Sequence, residues 1–93
     1  MDCKTIRFSR HAIERMFQRA VTPGAVAKII ANGEIIAMYP DDLPHPSALL
    51  LGFDADRPVH IVVARNRDSD ECTVVTVYQP DSQTWNDDFK SRR

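Results

Sequence analysis

Three basic side chains recur at four-residue intervals near the N-terminus: His11, Arg15 and Arg19. On an α-helix, at about 100° per residue, such positions drift only about 80° in total and line one face. Two guanidiniums so placed can grip a phosphate or a carboxylate through forked hydrogen bonds, and an imidazole beside them can move protons near neutral pH. Two further residues have types suited to the same chemistry. His60 alternates with Val62 and Ala64 along an apolar segment, and Tyr78 stands two residues before Pro80. If His60 faces the helices it can meet His11, the two imidazoles serving as acid and base, with the Tyr78 hydroxyl reaching the same groove. Each of the five candidates also has a plainer role. Arginines beside a buried face lay their stems over apolar surface and pair with acids such as Glu34, Asp41 or Asp42. His60 can be a satisfied core histidine, and Tyr78 a half-buried edge aromatic. His45, between Pro44 and Pro46, reads as exposed.

Well-marked reaction classes are missing from the chain. It has no glycine-rich phosphate loop, no G-x-S-x-G elbow and no H-E-x-x-H helix. A zinc site drawn from the three histidines and Cys72 lacks any helpful local spacing, so no metal or other cofactor is expected. Cys3 and Cys72 are far apart and make no C-x-x-C pair. Spacing alone therefore points to neither a disulfide framework nor a metal clip, and a reducing cytoplasmic setting is the default expectation. No apolar run approaches the roughly 20 residues that span a bilayer, and no hydrophobic stretch follows the first four residues, so neither a membrane nor a secretory signal is expected.

Net charge is −1, but it is unevenly spread. Residues 1–30 carry six Lys or Arg against two Asp or Glu, whereas the remainder carries six against eleven. The positive field is thus confined to the N-terminal third, where RNA or another anionic ligand would dock. A near-neutral total argues against a non-specific nucleic-acid binder.

Ninety-three residues suit one domain, with 43% apolar and 27% charged residues supplying an ordinary globular composition. Alternation over Lys4 to Phe8 predicts a short strand. Ser9 is a good N-cap for a helix over Arg10 to Ala20, whose Ala12, Ile13, Met16, Phe17 and Ala20 share an apolar face. Thr22-Pro23 opens a second helix with Val26, Ile29 and Ile30 buried, closed by a left-handed residue at Gly33, and the two helices are expected to form a hairpin. Strands follow at Glu34 to Tyr39, Ala48 to Phe53, Val59 to Arg65 and Cys72 to Tyr78, with a stiff Pro40–Pro46 loop between the first two. The expected fold is α+β: a strand and two-helix hairpin on an antiparallel meander of four to five strands. Leu49 to Leu51 and Ile61 to Val63 are apolar on both alternating faces, so the sheet needs a cover on each side. Two helices cover one. Trp85 and Phe89 of a short C-terminal helix, or a second copy in a homodimer, would cover the other.

The combination Phe8-Ser9-x-His11-Ala12-x-x-Arg15-Met16-x-x-x-Arg19, Pro46-Ser47 to Gly52, Arg57-Pro58-Val59-His60-Ile61-Val62-Val63 and Tyr78-x-Pro80-Asp81 with Trp85 and Phe89 resembles the uncharacterised prokaryotic family known as domain of unknown function 4258. The resemblance runs from about Ile6 to Arg93. It implies relatives without implying a reaction. The element order is in turn similar to that of RelE and ParE toxins, which implies metal-independent cleavage of messenger RNA and an antitoxin protein as partner. On that analogy Arg15 and Arg19 would stabilise phosphorane charge, His11 or His60 would act as base or acid, and Tyr78 would position the phosphate. The acidic C-terminal two-thirds departs from the strongly basic character of RelE-type toxins.

Overall fold

The computed structural model describes all residues, Met1–Arg93. Its elements are β1 (Thr5–Phe8), α1 (Arg10–Arg19), α2 (Pro23–Asn32), β2 (Glu34–Tyr39), β3 (Ser47–Asp54), β4 (Arg57–Arg65) and β5 (Glu71–Tyr78). Capping explains where the helices start. The Ser9 hydroxyl accepts from the Ala12 amide and the Thr22 hydroxyl from the Ala25 amide, satisfying donors that have no partner within the first turn. Pro23 sits at the first position of α2, where its missing N–H is harmless.

The helix ends depart from expectation. Ala20, not a glycine, takes the left-handed conformation that stops α1, with φ 54°. Gly33 is extended, with φ −71°. Its small size is needed for another reason: a Cβ there would lie 2.5 Å from the Ile29 carbonyl oxygen and 2.8 Å from that of Leu51.

The five strands form one sheet in the order β1-β5-β4-β3-β2. β2 to β5 are an antiparallel meander, as expected, but β1 joins β5 in parallel, so the sheet is mixed. The chain reaches this arrangement because α1 and α2 carry it from the β1 edge across one face to the opposite edge. α1 rests on β5 and α2 on β3, each helix seated on the sheet rather than held chiefly by a helix–helix hairpin. Ala12, Met16, Val26, Ile29 and Ile30 meet Ala48, Leu50, Val59, Ile61, Val63, Val74 and Val77 in a single core.

The opposite face is closed by the C-terminal segment. Trp85 is buried there and Phe89 half-buried. The expected C-terminal helix does not form; the segment is a series of turns pinned by an isolated pairing of Trp85 with Arg92 and by the Asp81 carboxylate, which accepts from the Gln83 and Thr84 amides. Those bonds hold the exposed Asp81 carboxyl below its usual range.

The cysteines correct a further expectation. β1 lying beside β5 brings Cys3 to Cys72, with Cα atoms 5.6 Å apart, and their sulfurs are bonded. Sixty-nine positions of sequence separation had hidden the pair. No helix is long and apolar enough to cross a membrane.

Candidate functional site

α1 displays the basic stripe to solvent. His11, Arg15 and Arg19 are all exposed, while Ala12 and Met16 alone on this helix are buried. None of the acids expected to neutralise the stripe does so: Glu34 pairs with Lys90, the Asp42 carboxylate accepts from the Ser47 hydroxyl, and Asp41 makes no ion pair. Arg15 donates only to Gln18, at 3.1 Å, and neither Arg19 nor His11 uses its side chain in a hydrogen bond or ion pair. A salt-bridged seam is therefore not what this row builds.

Arg57, which the sequence offers only as part of the family pattern, fixes the end of the stripe. Its guanidinium donates to the carbonyls of Arg19 (2.8 Å) and Ala20 (2.9 Å) and is held by Asp54 at 2.5 Å. These are carbonyls that a helix C-terminus leaves without partners, and the cation also complements the negative end of the helix dipole. Apart from that pattern, no local signal distinguishes Arg57 from any other arginine at the start of a strand.

The apolar arc of α1 is wider than the face the sheet covers. Ile13 is 55% and Phe17 89% exposed. They line a shallow groove with Phe8, Met16, Ala20, Val21 and Pro23. The groove lies on the other flank of α1, with Ile13 and Phe17 about 160° around the helix from Arg15 and none of His11, Arg15 or Arg19 lining it. The helix thus presents an apolar flank and a cationic flank, each with the composition of a recognition surface.

His60 and Tyr78 lie on the other side of the sheet. Val59, Ile61 and Val63 point into the core beneath the helices, so the alternating His60 faces the C-terminal segment. Tyr78 joins it because of a bulge. The register pairs Val62 with Thr76 but Val63 with Val74, leaving Val75 as an extra residue. Val77 thereby turns to the core and Tyr78 to the His60 side.

His60 has no solvent exposure and both ring nitrogens are occupied, Nε2 by the Phe89 carbonyl oxygen at 2.8 Å and Nδ1 by the Tyr78 hydroxyl at 3.1 Å. A carbonyl only accepts, so Nε2 carries the proton and Nδ1 accepts from Tyr78. Trp85 meets the imidazole edge-to-face at a centroid distance of 4.5 Å, and the Arg92 guanidinium lies 5.1 Å from the Trp85 ring centroid. Burial lowers the His60 pKa below its ordinary value, the Phe89 bond partly opposing and Arg92 reinforcing that shift. Burial raises the Tyr78 phenol, against the pull of Arg92 and with a small push from Tyr39. This is a neutral, fully bonded imidazole sealed by aromatic rings.

The five candidates thus divide into two groups. His11, Arg15 and Arg19 share α1; His60 and Tyr78 share the far face, and the sheet separates the two sets, so no common groove joins them. His45, in the proline-rich loop, is half-buried rather than fully exposed. Nowhere do three His, Cys, Asp or Glu side chains gather as a metal-binding group, and the Cys72 sulfur is committed to Cys3.

A family model described as Domain of unknown function (DUF4258) matches residues 8–79. The match spans α1, α2 and β2 to β5, and ends before Trp85 and Phe89. No curated protein and no solved structure matches the chain.

Proposed function

We propose that this chain, which belongs to the family Domain of unknown function (DUF4258), is a non-catalytic binding module whose working surface is α1 and whose partner is an acidic protein surface. The observation that supports this reading best is the separation of His60 and Tyr78 from the cations, which leaves His11 as the one proton-handling side chain on the stripe. A general base must come within hydrogen-bond reach of the proton it removes. His60 has both nitrogens filled and no exposure, whereas Arg15 and Arg19 stand in solvent with no carboxylate opposite them. Forked donors without an anionic partner suit carboxylates. Two features favour protein over nucleic acid: the near-neutral total charge, and the exposed apolar pair Ile13 and Phe17 on the same helix.

Fluorescence anisotropy of the full chain with a labelled acidic peptide bearing leucine anchors tests this reading. Arg15→Ala with Arg19→Ala should weaken binding by about tenfold or more, about 1.4 kcal/mol for each factor of ten. Both positions are exposed, so an unchanged thermal melt separates lost binding from lost folding. Absent binding, or binding indifferent to these substitutions, overturns the module. The RelE-like alternative is examined in parallel with ribosomes and messenger RNA: cleavage removed by His11→Ala would replace the binding reading with a metal-independent nuclease centred on the stripe.

A further inference from the structure

We propose that the Cys3–Cys72 bond is a reducible latch that a dithiol opens from the Cys3 side, releasing β1 from the edge of β5. The proposal is independent of the α1 reading. Its first support is the asymmetry of the two sulfurs. Cys72 is completely buried in the core, whereas Cys3 is only partly buried and lines an open cleft of about 390 Å³ with Met1, Asp2, Lys4, Ala31 and Asp70. Cys3 is the half of the bond that borders this cleft and Cys72 is not, so attack from the cleft would fall on the Cys3 sulfur.

The second support is how little else holds the strand. β1 is four residues long and pairs on one side only, since it ends the sheet. Beyond that ladder its neighbourhood is fastened by the Lys4 amide to the Asp70 carbonyl (2.8 Å), by the Met1 ammonium to the Ile30 carbonyl (2.8 Å), and by an exposed Arg7–Glu71 pair at 3.3 Å. Ile6 and Phe8 pack against the core but are not fully buried. By contrast, α1 has its own anchor, the Ser9 amide and hydroxyl donating to Val74 and Val75 carbonyls at 3.0 and 2.9 Å. Opening therefore stops at Ser9. It leaves the antiparallel strands in place and bares the β5 edge that β1 had covered, a row of backbone donors and acceptors able to take another extended segment.

The chemistry balances with a dithiol as reductant. Its thiolate attacks the Cys3 sulfur, the Cys3–Cys72 bond breaks, and Cys72 leaves as a thiolate that takes up a proton. The second thiol of the reagent, as its thiolate, then attacks the reagent's own sulfur in the mixed disulfide, expelling Cys3 as a thiolate that takes up a proton while the reagent becomes an intramolecular disulfide. Two electrons pass from reagent to protein.

The test treats the full chain with dithiothreitol without denaturant, alkylates free thiols for mass analysis, and follows backbone amide exchange. Both cysteines should become alkylated, and exchange over Thr5–Phe8 should rise by about tenfold or more while Val59–Val63 stays protected, as expected of a local opening. Cys3→Ser, which leaves Cys72 in the core, should show the same fast β1 exchange with no reductant. A bond that yields only in denaturant, β1 exchange unchanged by reduction or by Cys3→Ser, or protection lost across all five strands together would each overturn the latch.

Discussion

His60 and Tyr78 stand opposite one another in the β4–β5 register, and the Tyr78 hydroxyl donates to His60 Nδ1 over 3.1 Å. The Phe89 carbonyl oxygen accepts from the Nε2–H, so a strand histidine ties the sheet to the C-terminal turns. Tyr78→Phe keeps the ring and removes the donor. A buried acceptor then goes unpaired, at a cost of about 1–3 kcal/mol, to be read from the urea midpoint at unchanged slope.

The same imidazole predicts the acid response. Its folded pKa lies below 6.5, so between the two values the unfolded chain binds more protons and stability rises with pH. Stability contributed by neutral His60 is complete above the unfolded value and is lost as pH falls through 6.5 toward the folded value. The slope in that window is at most about 1.4 kcal/mol per pH unit. Denaturant melts from pH 7.5 down to 5 should show it, and His60→Gln, compared at matched pH, should flatten this part of the profile.

Trp85 is the main apolar lid over that face and the chain's only tryptophan. Trp85→Ala should cost about 3–5 kcal/mol, the range for removing a buried large aromatic. Thermal unfolding by circular dichroism measures the loss, since the substitution removes the fluorophore. If the C-terminal turns were a loose tail instead, the melt would barely move.

Gly52 lets α2 approach β3 closely. A Cβ there would lie 2.5 Å from Ile29 Cγ1. Gly52→Ala should destabilise by about 1–3 kcal/mol through overpacking. Ile29→Ala removes Cγ1 and Cγ2, the two carbons that a Gly52 Cβ would meet most closely, so Gly52→Ala should cost less in that background than alone, a non-additivity that a double-mutant cycle measures.

Arg57 closes the end of α1. Arg57→Ala strands the Arg19 and Ala20 carbonyls and frees Asp54, with an expected cost of about 1–2 kcal/mol by chemical denaturation. Arg57→Lys keeps the charge but not the fork, and should restore only part of the stability.

Much of the local architecture was legible in the chain because it follows from nearest neighbours. Ser9 and Thr22-Pro23 mark helix starts through hydrogen bonds three residues long, and the alternation of Val59, Ile61 and Val63 sets one face of β4 regardless of its partners. The spacing of His11, Arg15 and Arg19 likewise puts them on one side of α1 by helix geometry alone. The doubly apolar strands correctly demanded a second cover, and Trp85 was among the residues named for it.

Other features depended on contacts between distant segments. Strand alternation places His60 opposite Ile61 but does not say which face the helices occupy; the route of α1 and α2 across the sheet decided that, and put His60 away from His11. A strict two-residue period would have set Tyr78 with Val74, and one extra residue at Val75 turned it toward His60. Cys3 met Cys72 because β1 closed on β5 in parallel, a pairing invisible to spacing. Helix and strand periods are properties of consecutive residues, and so were carried by the sequence itself. Which faces oppose one another is a property of the packed sheet, and only the tertiary structure settled it.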